Sequence, residues 1–112
     1  MEIVFKSNKV RVQCTDLREA KKRFSDKIAR KLFKLINFIQ AAENLESIIN
    51  NPVYRFHDLK GKKKGFYAMD IDGIKSSYRL IVAFDNKSHE DIFSSPMSIV
   101  TIEIEEVSKH YE

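Results

Sequence analysis

The chain has 112 residues, of which 43% are hydrophobic and 32% are charged. This balance is typical of one folded domain with a modest core, and it excludes a disordered chain. The formal net charge of +4 favours an anionic partner such as nucleic acid without identifying one.

The sequence predicts neither a membrane-spanning helix nor an internal disulfide. No apolar run approaches the roughly 20 residues that a membrane-spanning helix needs. The only cysteine, Cys14, cannot form an internal disulfide, and no base is identifiable near it. We therefore expect a single cytoplasmic domain over residues 1–112, with no membrane partner and with Cys14 as a small, partly buried side chain.

A short strand and a helical stretch are predicted at the start of the chain. Residues 2–5 form an apolar run rich in strand-forming side chains. Residues 7–23 are polar and basic, and we expect helix there. Thr15 or Asp16 can act as an N-cap, with Glu19 three residues after Asp16 as a capping-box partner.

The strongest helical pattern begins at Ser25 or Asp26. Between Lys21 and Ala42 the chain has seven basic residues and a single acid. The basic face of this helix is either simply solvated or a docking surface for phosphates or an acidic partner. The apolar face carries Phe24, Ile28, Leu32, Leu35, Ile36 and Ile39, and the basic face carries Lys27, Arg30, Lys31 and Lys34.

The second half of the chain changes from helical to strand patterning. Residues 44–51 predict a short helical turn that Pro52 ends. From Val53 onward the hydrophobic period is two instead of 3.6. Helices that precede strands in this way indicate an α+β fold, with an N-terminal strand and helices packed on one face of a mainly antiparallel C-terminal sheet.

A basic hairpin is the central feature of the second half. We predict a short strand at residues 54–58, a basic turn at 60–65, and two strands at 66–71 and 74–84 joined by Asp72-Gly73. Asp-Gly between alternating runs is a strong signal for a two-residue turn, since both turn residues need positive φ. The pairs that this turn predicts are Tyr67 with Tyr78, Asp70 with Lys75, and Phe66 with Arg79.

The predicted register divides the hairpin into two faces. The nearly apolar face should pack on the helices. The other face includes Arg79, which should point away from the helical core toward a surface that a ligand can reach. The apolar face carries Tyr67, Met69, Ile71, Ile74, Tyr78, Leu80, Val82 and Phe84, and the other carries Phe66, Ala68, Asp70, Lys75, Ser77, Arg79, Ile81 and Ala83.

The remaining residues give one strand and two less defined segments. Residues 85–98 are predicted to be a mobile polar connection, and we assign no function to it. Residues 99–107 predict the last strand. His110 and Tyr111 then follow, either as a frayed tail or as one wall of a site.

Several side chains near the hairpin suit RNA cleavage without a metal. Such cleavage needs a base for the 2′-OH, cations for the phosphate and an acid for the leaving 5′-oxygen. Arg79 suits bidentate phosphate contact, and Lys60 suits a point charge or a base. Histidine is the residue type suited to proton transfer near neutral pH, so His57 and His110 are candidates for it, and Tyr111 can stack on a base or donate a proton. The predicted RNA-binding lysines are Lys62, Lys63, Lys64 and Lys75.

Each of these residues also has a structural interpretation. A lone histidine on a strand is commonly a polar surface residue, and a lysine-rich turn is commonly just solvated. His57, His89 and His110 have no cysteine or close histidine partner, so no metal site is predicted and no cofactor is expected.

Two groups of residues resemble the HigB branch of the RelE/ParE toxin superfamily. They are Arg55-Phe56-His57-Asp58-Leu59-Lys60-Gly61 with Lys64-Gly65, and Tyr78-Arg79-Leu80 with Val107-Ser108-Lys109-His110-Tyr111. The order of strand, helices and later strands is similar as well.

The resemblance implies a toxin of a type II toxin–antitoxin module. Such a protein enters the ribosomal A site, cleaves mRNA there and is neutralised by a cognate antitoxin, here expected to be HigA-like. Operator DNA would be bound only within the toxin–antitoxin complex. By position, the family's active-site residues are His57, Lys60, Arg79 and the pair His110 and Tyr111, either of which would be the acid.

The sequence leaves two other functions open. A ParE-like inhibitor would bind DNA gyrase and cleave nothing, and a catalytically inactive member would act only as a binding or repressor component. On the RNase hypothesis, Arg79→Ala should abolish toxicity without unfolding the protein. The basic helix residues Lys27, Arg30 and Lys34 are the predicted docking site for an acidic antitoxin segment.

Overall fold

A computed structural model of the protein describes residues 1–109. It confirms the α+β class, with the helices concentrated in the first half and most strands in the second. Short 3₁₀ turns lie at Pro52–Tyr54, Gly61–Lys63 and Pro96–Ser98. The helices and strands are β1 (Glu2–Phe5), α1 (Asn8–Thr15), α2 (Leu17–Arg23), α3 (Asp26–Ala41), α4 (Leu45–Ile49), β2 (His57–Asp58), β3 (Tyr67–Asp70), β4 (Tyr78–Ala83), α5 (His89–Ser94) and β5 (Thr101–Lys109).

Side-chain caps set the helix boundaries. The Asp16 side chain accepts a hydrogen bond from the Glu19 backbone N–H, so Asp16 caps α2 and divides the predicted helical stretch in two. Ser25 caps α3 by accepting from the Ile28 N–H. Both residues are N-caps proposed from the sequence, because short polar side chains satisfy the first unpaired backbone donors of a helix.

Five strands form one mixed sheet in the order β1-β5-β4-β3-β2. β1 runs parallel to β5, and the other neighbours are antiparallel. The apolar stripe of α3, including Leu32, Leu35 and Ile39, is fully buried against one face of this sheet. Burial of this stripe is the main hydrophobic contribution that holds α3 on the sheet.

β3 and β4 pair in a different register from the one predicted. The strands stop farther from Asp72-Gly73, so residues 71–77 form a longer loop between them. This loop folds around the side chain of Arg79. The observed pairs include Tyr67 with Val82 and Asp70 with Arg79, so the predicted pairs Tyr67 with Tyr78, Asp70 with Lys75 and Phe66 with Arg79 are wrong.

The predicted division into two faces nevertheless holds for most residues. Tyr67 lies opposite a residue four positions farther along than predicted, and an even shift leaves each side chain on its face. Leu80 and Val82 pack into the helical core, whereas Ile81 joins a small cluster on the opposite face. Ile74 is the exception, since it lies in the loop and is 66% exposed.

The connection between β4 and β5 is more ordered than the sequence suggests. It contains α5, whose start is fixed by a reciprocal capping box between Ser88 and Asp91. Ile92 of α5 is fully buried in the main core. The connection at residues 85–98 is polar as predicted, but the expectation that it is a mobile segment is wrong, because one buried apolar side chain and the two hydrogen bonds of one capping box anchor its helix.

Candidate nucleic-acid interface

Two arginines share one carboxylate on the sheet face opposite the helices. Arg55 holds Asp70 through two bonds, Nε to Oδ2 at 3.0 Å and Nη2 to Oδ1 at 3.1 Å. Arg79 Nε lies 3.0 Å from Asp70 Oδ1. Two guanidinium groups around one buried carboxylate leave an excess positive charge, and we call these three residues the arginine cluster.

Arg79 is far less accessible than predicted. It is 4% exposed, because the 71–77 loop wraps its guanidinium. Nη1 donates to the carbonyl oxygens of Ser76 and Tyr78, and Nη2 donates to that of Ile74 at 3.1 Å. The predicted orientation away from the helical core is correct, but the predicted surface accessibility is wrong. In this conformation the donors of Arg79 serve the protein's own backbone.

Arg55 is the more accessible arginine, with 36% of its side chain exposed. Its backbone has φ 42° and ψ 55°, a left-handed conformation that few residues other than glycine adopt. Arg55 had no predicted role beyond its place in the motif that resembles the family. Its position two residues before His57 was the available signal, but the pairing with Asp70 is visible only in three dimensions.

His57 lies beside the arginine cluster. It pairs with Ala68 in the register, which places its side chain on the same sheet face as Asp70. Its Nδ1 atom is 2.7 Å from the carbonyl oxygen of Arg55. A carbonyl oxygen can only accept, so this bond requires a proton on Nδ1 and fixes the orientation of the ring.

The basic turn between β2 and β3 is largely solvent-exposed, and we call residues 60–65 the lysine loop. Gly61 and Gly65 have φ of 67° and 96°, so the turn needs glycine at both positions. Lys60, Lys62 and Lys64 are exposed. The loop therefore presents exposed cations close to His57 in sequence.

Lys63 and Lys75 differ from the other predicted RNA-binding lysines. Lys63 is half-buried, with its Nζ atom 3.9 Å from Glu106 Oε2 and 5.5 Å from the ring centroid of Phe66. Lys75 is exposed but lies in the 71–77 loop rather than in a strand. Lys75 therefore does not occupy the strand position opposite Asp70 that the predicted register gave it, whereas Lys63 lies in the turn as predicted.

The structure also brings residues of the 85–98 connection to the lysine loop. Lys87 and His89 line a groove of about 600 Å³ together with Lys60 and Lys64. Neither Lys87 nor His89 was predicted to belong to a site. No sequence signal linked them to the lysine loop, because they are more than twenty residues away from it along the chain.

Other predicted features have clearer outcomes. Cys14 is 1% exposed, and burial raises the pKa of its thiol to about 12, so it stays protonated at neutral pH.

Within residues 1–109 no group of three or more metal-ligating side chains is present, and no helix is long and apolar enough to cross a bilayer. His110 and Tyr111 lie outside the described residues.

Comparison with known proteins identifies the family. Residues 7–96 match the model of the RelE-like toxin of type II toxin-antitoxin system HigB. The chain belongs to this family. No curated protein matches the sequence.

Solved structures of other toxins share the fold of this HigB-like toxin. YafQ from E. coli strain BL21(DE3) is 20% identical with a TM-score of 0.55, over 96% of this chain and 91% of that chain. The YoeB-YefM complex from Staphylococcus aureus gives 18% identity and a TM-score of 0.55, over 99% and 98%. The YoeB/ParE toxin from Agrobacterium tumefaciens gives 15% identity and a TM-score of 0.54, over 99% and 100%.

The basic face of α3 is the region predicted to meet an antitoxin. Lys27 Nζ lies 3.2 Å from Asp72 Oδ2, and Arg30 Nε lies 2.8 Å from Asp26 Oδ2. Two of the three predicted docking residues are thus paired within the HigB-like toxin itself. Lys34 is exposed and borders a small cavity of about 70 Å³ beside the 71–77 loop.

Proposed function

We propose that this HigB-like toxin is a ribosome-dependent mRNA endoribonuclease that needs no metal ion. The single observation that carries the proposal is the arginine cluster, which holds excess positive charge beside the oriented ring of His57. Phosphate-ester cleavage develops negative charge on the phosphate oxygens, and fixed guanidinium groups stabilise that charge. Membership in the HigB family supports the same activity.

The proposed step is an in-line attack of the 2′-oxygen on the adjacent phosphorus. Nε2 of His57 takes the 2′-OH proton, because Nδ1 already carries a proton toward the Arg55 carbonyl. The bond from phosphorus to the 5′-oxygen breaks, and His110 or Tyr111 protonates that oxygen. The products are a 2′,3′-cyclic phosphate and a 5′-OH.

Arg55 and Lys60 contact the phosphate in this proposal. Arg55 has an exposed guanidinium edge, and Asp70 holds it in place through two bonds. Arg79 acts mainly through Asp70, since its donors are occupied by loop carbonyls. Arg79 is therefore proposed as a positioning residue.

The activity can be tested by primer extension on transcripts after brief expression. We expect discrete cuts inside translated codons with wild type, and at least a hundredfold fewer with His57→Gln, since general-base catalysis contributes roughly 10²–10⁴-fold. Lys22→Gln on the exposed face of α2 is the matched control and should cut normally. Growth arrest with intact mRNA, or with DNA-damage signalling, would overturn the proposal in favour of a gyrase inhibitor.

A cognate antitoxin is the proposed partner, and it is expected to be HigA-like, with operator DNA bound only by the complex. Lys34 is the accessible member of the predicted docking set, so Lys34→Glu should weaken antitoxin binding measured by calorimetry. Lys27→Glu and Arg30→Glu should have smaller effects, because each side chain is already paired. Equal antitoxin affinity for wild type and Lys34→Glu would remove α3 from the proposed interface.

A further inference from the structure

The groove beside the lysine loop is built from two segments that are distant in sequence. One wall comes from the end of β2 and the lysine loop, and the other from the start of α5. Its volume of about 600 Å³ lies within the range of small-ligand sites. The residues that line it are Asp58, Leu59, Lys60, Gly61, Lys64, Gly65, Tyr67, Lys87, Ser88 and His89.

Positive charge dominates this groove. Lys60, Lys64 and Lys87 are exposed, and within residues 1–109 none of them forms an ion pair. Asp58 is the carboxylate on the wall, and its Oδ2 atom lies 3.4 Å from Nε2 of His89. An anionic ligand would therefore meet three available ammonium groups and one carboxylate that already has a partner.

An aromatic surface borders the same groove. The side chain of His89 is 65% exposed, and its ring centroid lies 4.8 Å from that of Phe93. Phe93 is itself 40% exposed, although it contacts the buried ring of Tyr67 on its other side. A supported, exposed ring next to lysines is the combination that binds single-stranded nucleic acid, because bases stack on rings while lysines contact phosphates.

The position of the groove relative to His57 indicates which part of the RNA it would meet. β2 is the edge strand of the sheet, and its two residues project to opposite faces. His57 lies on the face of the arginine cluster, whereas Asp58 lies on the groove side. An RNA strand with its reacting phosphate at His57 would cross this edge to reach the groove.

We propose that the groove binds a nucleotide flanking the cleavage site, with its phosphate between Lys64 and Lys87 and its base stacked on His89, while Lys60 stays with the phosphate that is cleaved. This inference rests on the proposed function and adds a subsite to it. The 85–98 connection thereby acquires a role, since it supplies Lys87 and His89. An acidic peptide would use the lysines equally well, but it would gain little from the exposed ring.

The test measures binding of the full-length toxin to a fluorescein-labelled single-stranded RNA with a 2′-O-methyl group on every ribose. This probe cannot be cleaved, so anisotropy reports binding alone. Lys87→Gln should weaken binding and reduce the slope of log K against log salt by about 0.7, the value for one phosphate contact. Lys9→Gln on α1, which changes the net charge equally, should leave the slope unchanged.

Stacking is tested separately at His89. His89→Ala should weaken binding about 5-fold or more, whereas His89→Phe should retain it. Equal losses from Lys87→Gln and Lys9→Gln would overturn the proposal, because they would show a general charge effect. Weaker antitoxin binding with unchanged RNA binding in Lys87→Gln would also overturn it and assign the groove to the antitoxin.

Ribosomal cleavage assays separate this subsite from the proposed function. Cleavage by wild type with unchanged RNA binding in the Lys87→Gln and His89→Ala variants would overturn the subsite and leave the RNase proposal intact. Absence of cleavage by wild type, together with the expected loss of binding in both variants, would support the groove and overturn the RNase proposal.

Discussion

The arginine cluster and the lysine loop are both cationic, but they hold their charge in opposite ways. In the arginine cluster, Asp70 is 2% exposed and Arg79 4%, and short polar contacts fix the donors. In the lysine loop, Lys60, Lys62 and Lys64 are exposed. Substitutions in the preorganised arginine cluster should therefore lower the free energy of unfolding strongly. Substitutions of the exposed lysines should change it little. Positive charge at Arg79 therefore contributes mainly to the fold, whereas the exposed edge of Arg55 and the lysine loop are available to a ligand.

The largest effect on stability is expected from Arg79→Ala. This change leaves the buried Asp70 carboxylate with a single cation and frees several carbonyl groups of the 71–77 loop. Removal of one partner from a buried pair costs about 3–5 kcal/mol, so urea unfolding should show a loss of that order. The sequence-based expectation that Arg79→Ala leaves the fold intact no longer holds once its burial is known.

A second substitution, at Asp70, tests whether the stability lost in Arg79→Ala comes from the buried carboxylate. Asp70→Asn in the Arg79→Ala background should recover part of the lost stability, because it removes the incompletely paired charge. A midpoint for Arg79→Ala within error of wild type would contradict the structural role given to the cluster.

Arg55→Ala should separate activity from folding better than Arg79→Ala does. Its side chain is partly exposed, so loss of the two bonds to Asp70 should cost about 1.5 kcal/mol, while mRNA cleavage falls sharply. Urea unfolding and primer extension on the same variant give the two readouts. A folded Arg55→Ala protein that cleaves normally would remove Arg55 from the proposed phosphate site.

Changes in the lysine loop should affect RNA and leave stability nearly unchanged. Lys62→Ala and Lys64→Ala remove exposed side chains, so the free energy of unfolding should stay within about 0.5 kcal/mol of wild type. RNA binding should weaken for each variant and become less dependent on salt. A large loss of stability in either variant would contradict the contrast between the loop and the cluster.

The smallest effect is expected at an acidic pair in the first half of β5, Glu103 and Glu105. A hydrogen bond to Glu105 and burial raise the pKa of Glu103, so the native state penalises its charged form. That penalty is absent at low pH, where Glu103 is protonated in both states, and it grows as pH rises through the ordinary glutamate range. Glu103→Gln should therefore stabilise the protein by about 0.5 kcal/mol at pH 7 and have no effect near pH 3.

The contrast between the buried arginine cluster and the exposed lysine loop also explains which features could be predicted from the sequence. Alternation and helical spacing are local patterns, so they located α3, β3, β4 and the two sheet faces correctly. The register failed because the Arg79 side chain, rather than Asp72-Gly73, organises the 71–77 loop through bonds to backbone carbonyls. Hydrophobic periodicity does not predict hydrogen bonds from a side chain to backbone carbonyls, so the register could not be predicted from it.

The candidate site was predictable only where its residues are neighbours in sequence. His57 and the lysine loop lie together in one motif and were identified there. Arg55 depends on Asp70 across the sheet, and Lys87 depends on the packing of Ile92 that anchors α5. Both pairings are consequences of tertiary structure, so the only local signal was the position of Arg55 two residues before His57, and Lys87 had none.

The most direct test of the proposed chemistry is a reconstituted ribosome assay with an mRNA that has one 2′-deoxy nucleotide at the mapped cut. We predict that this transcript is not cut at that bond, because the attacking 2′-oxygen is missing, while an all-ribose transcript is cut to leave a 2′,3′-cyclic phosphate. Equal cleavage of both transcripts by the wild-type protein would contradict the account, since water or another nucleophile would then have to break the bond.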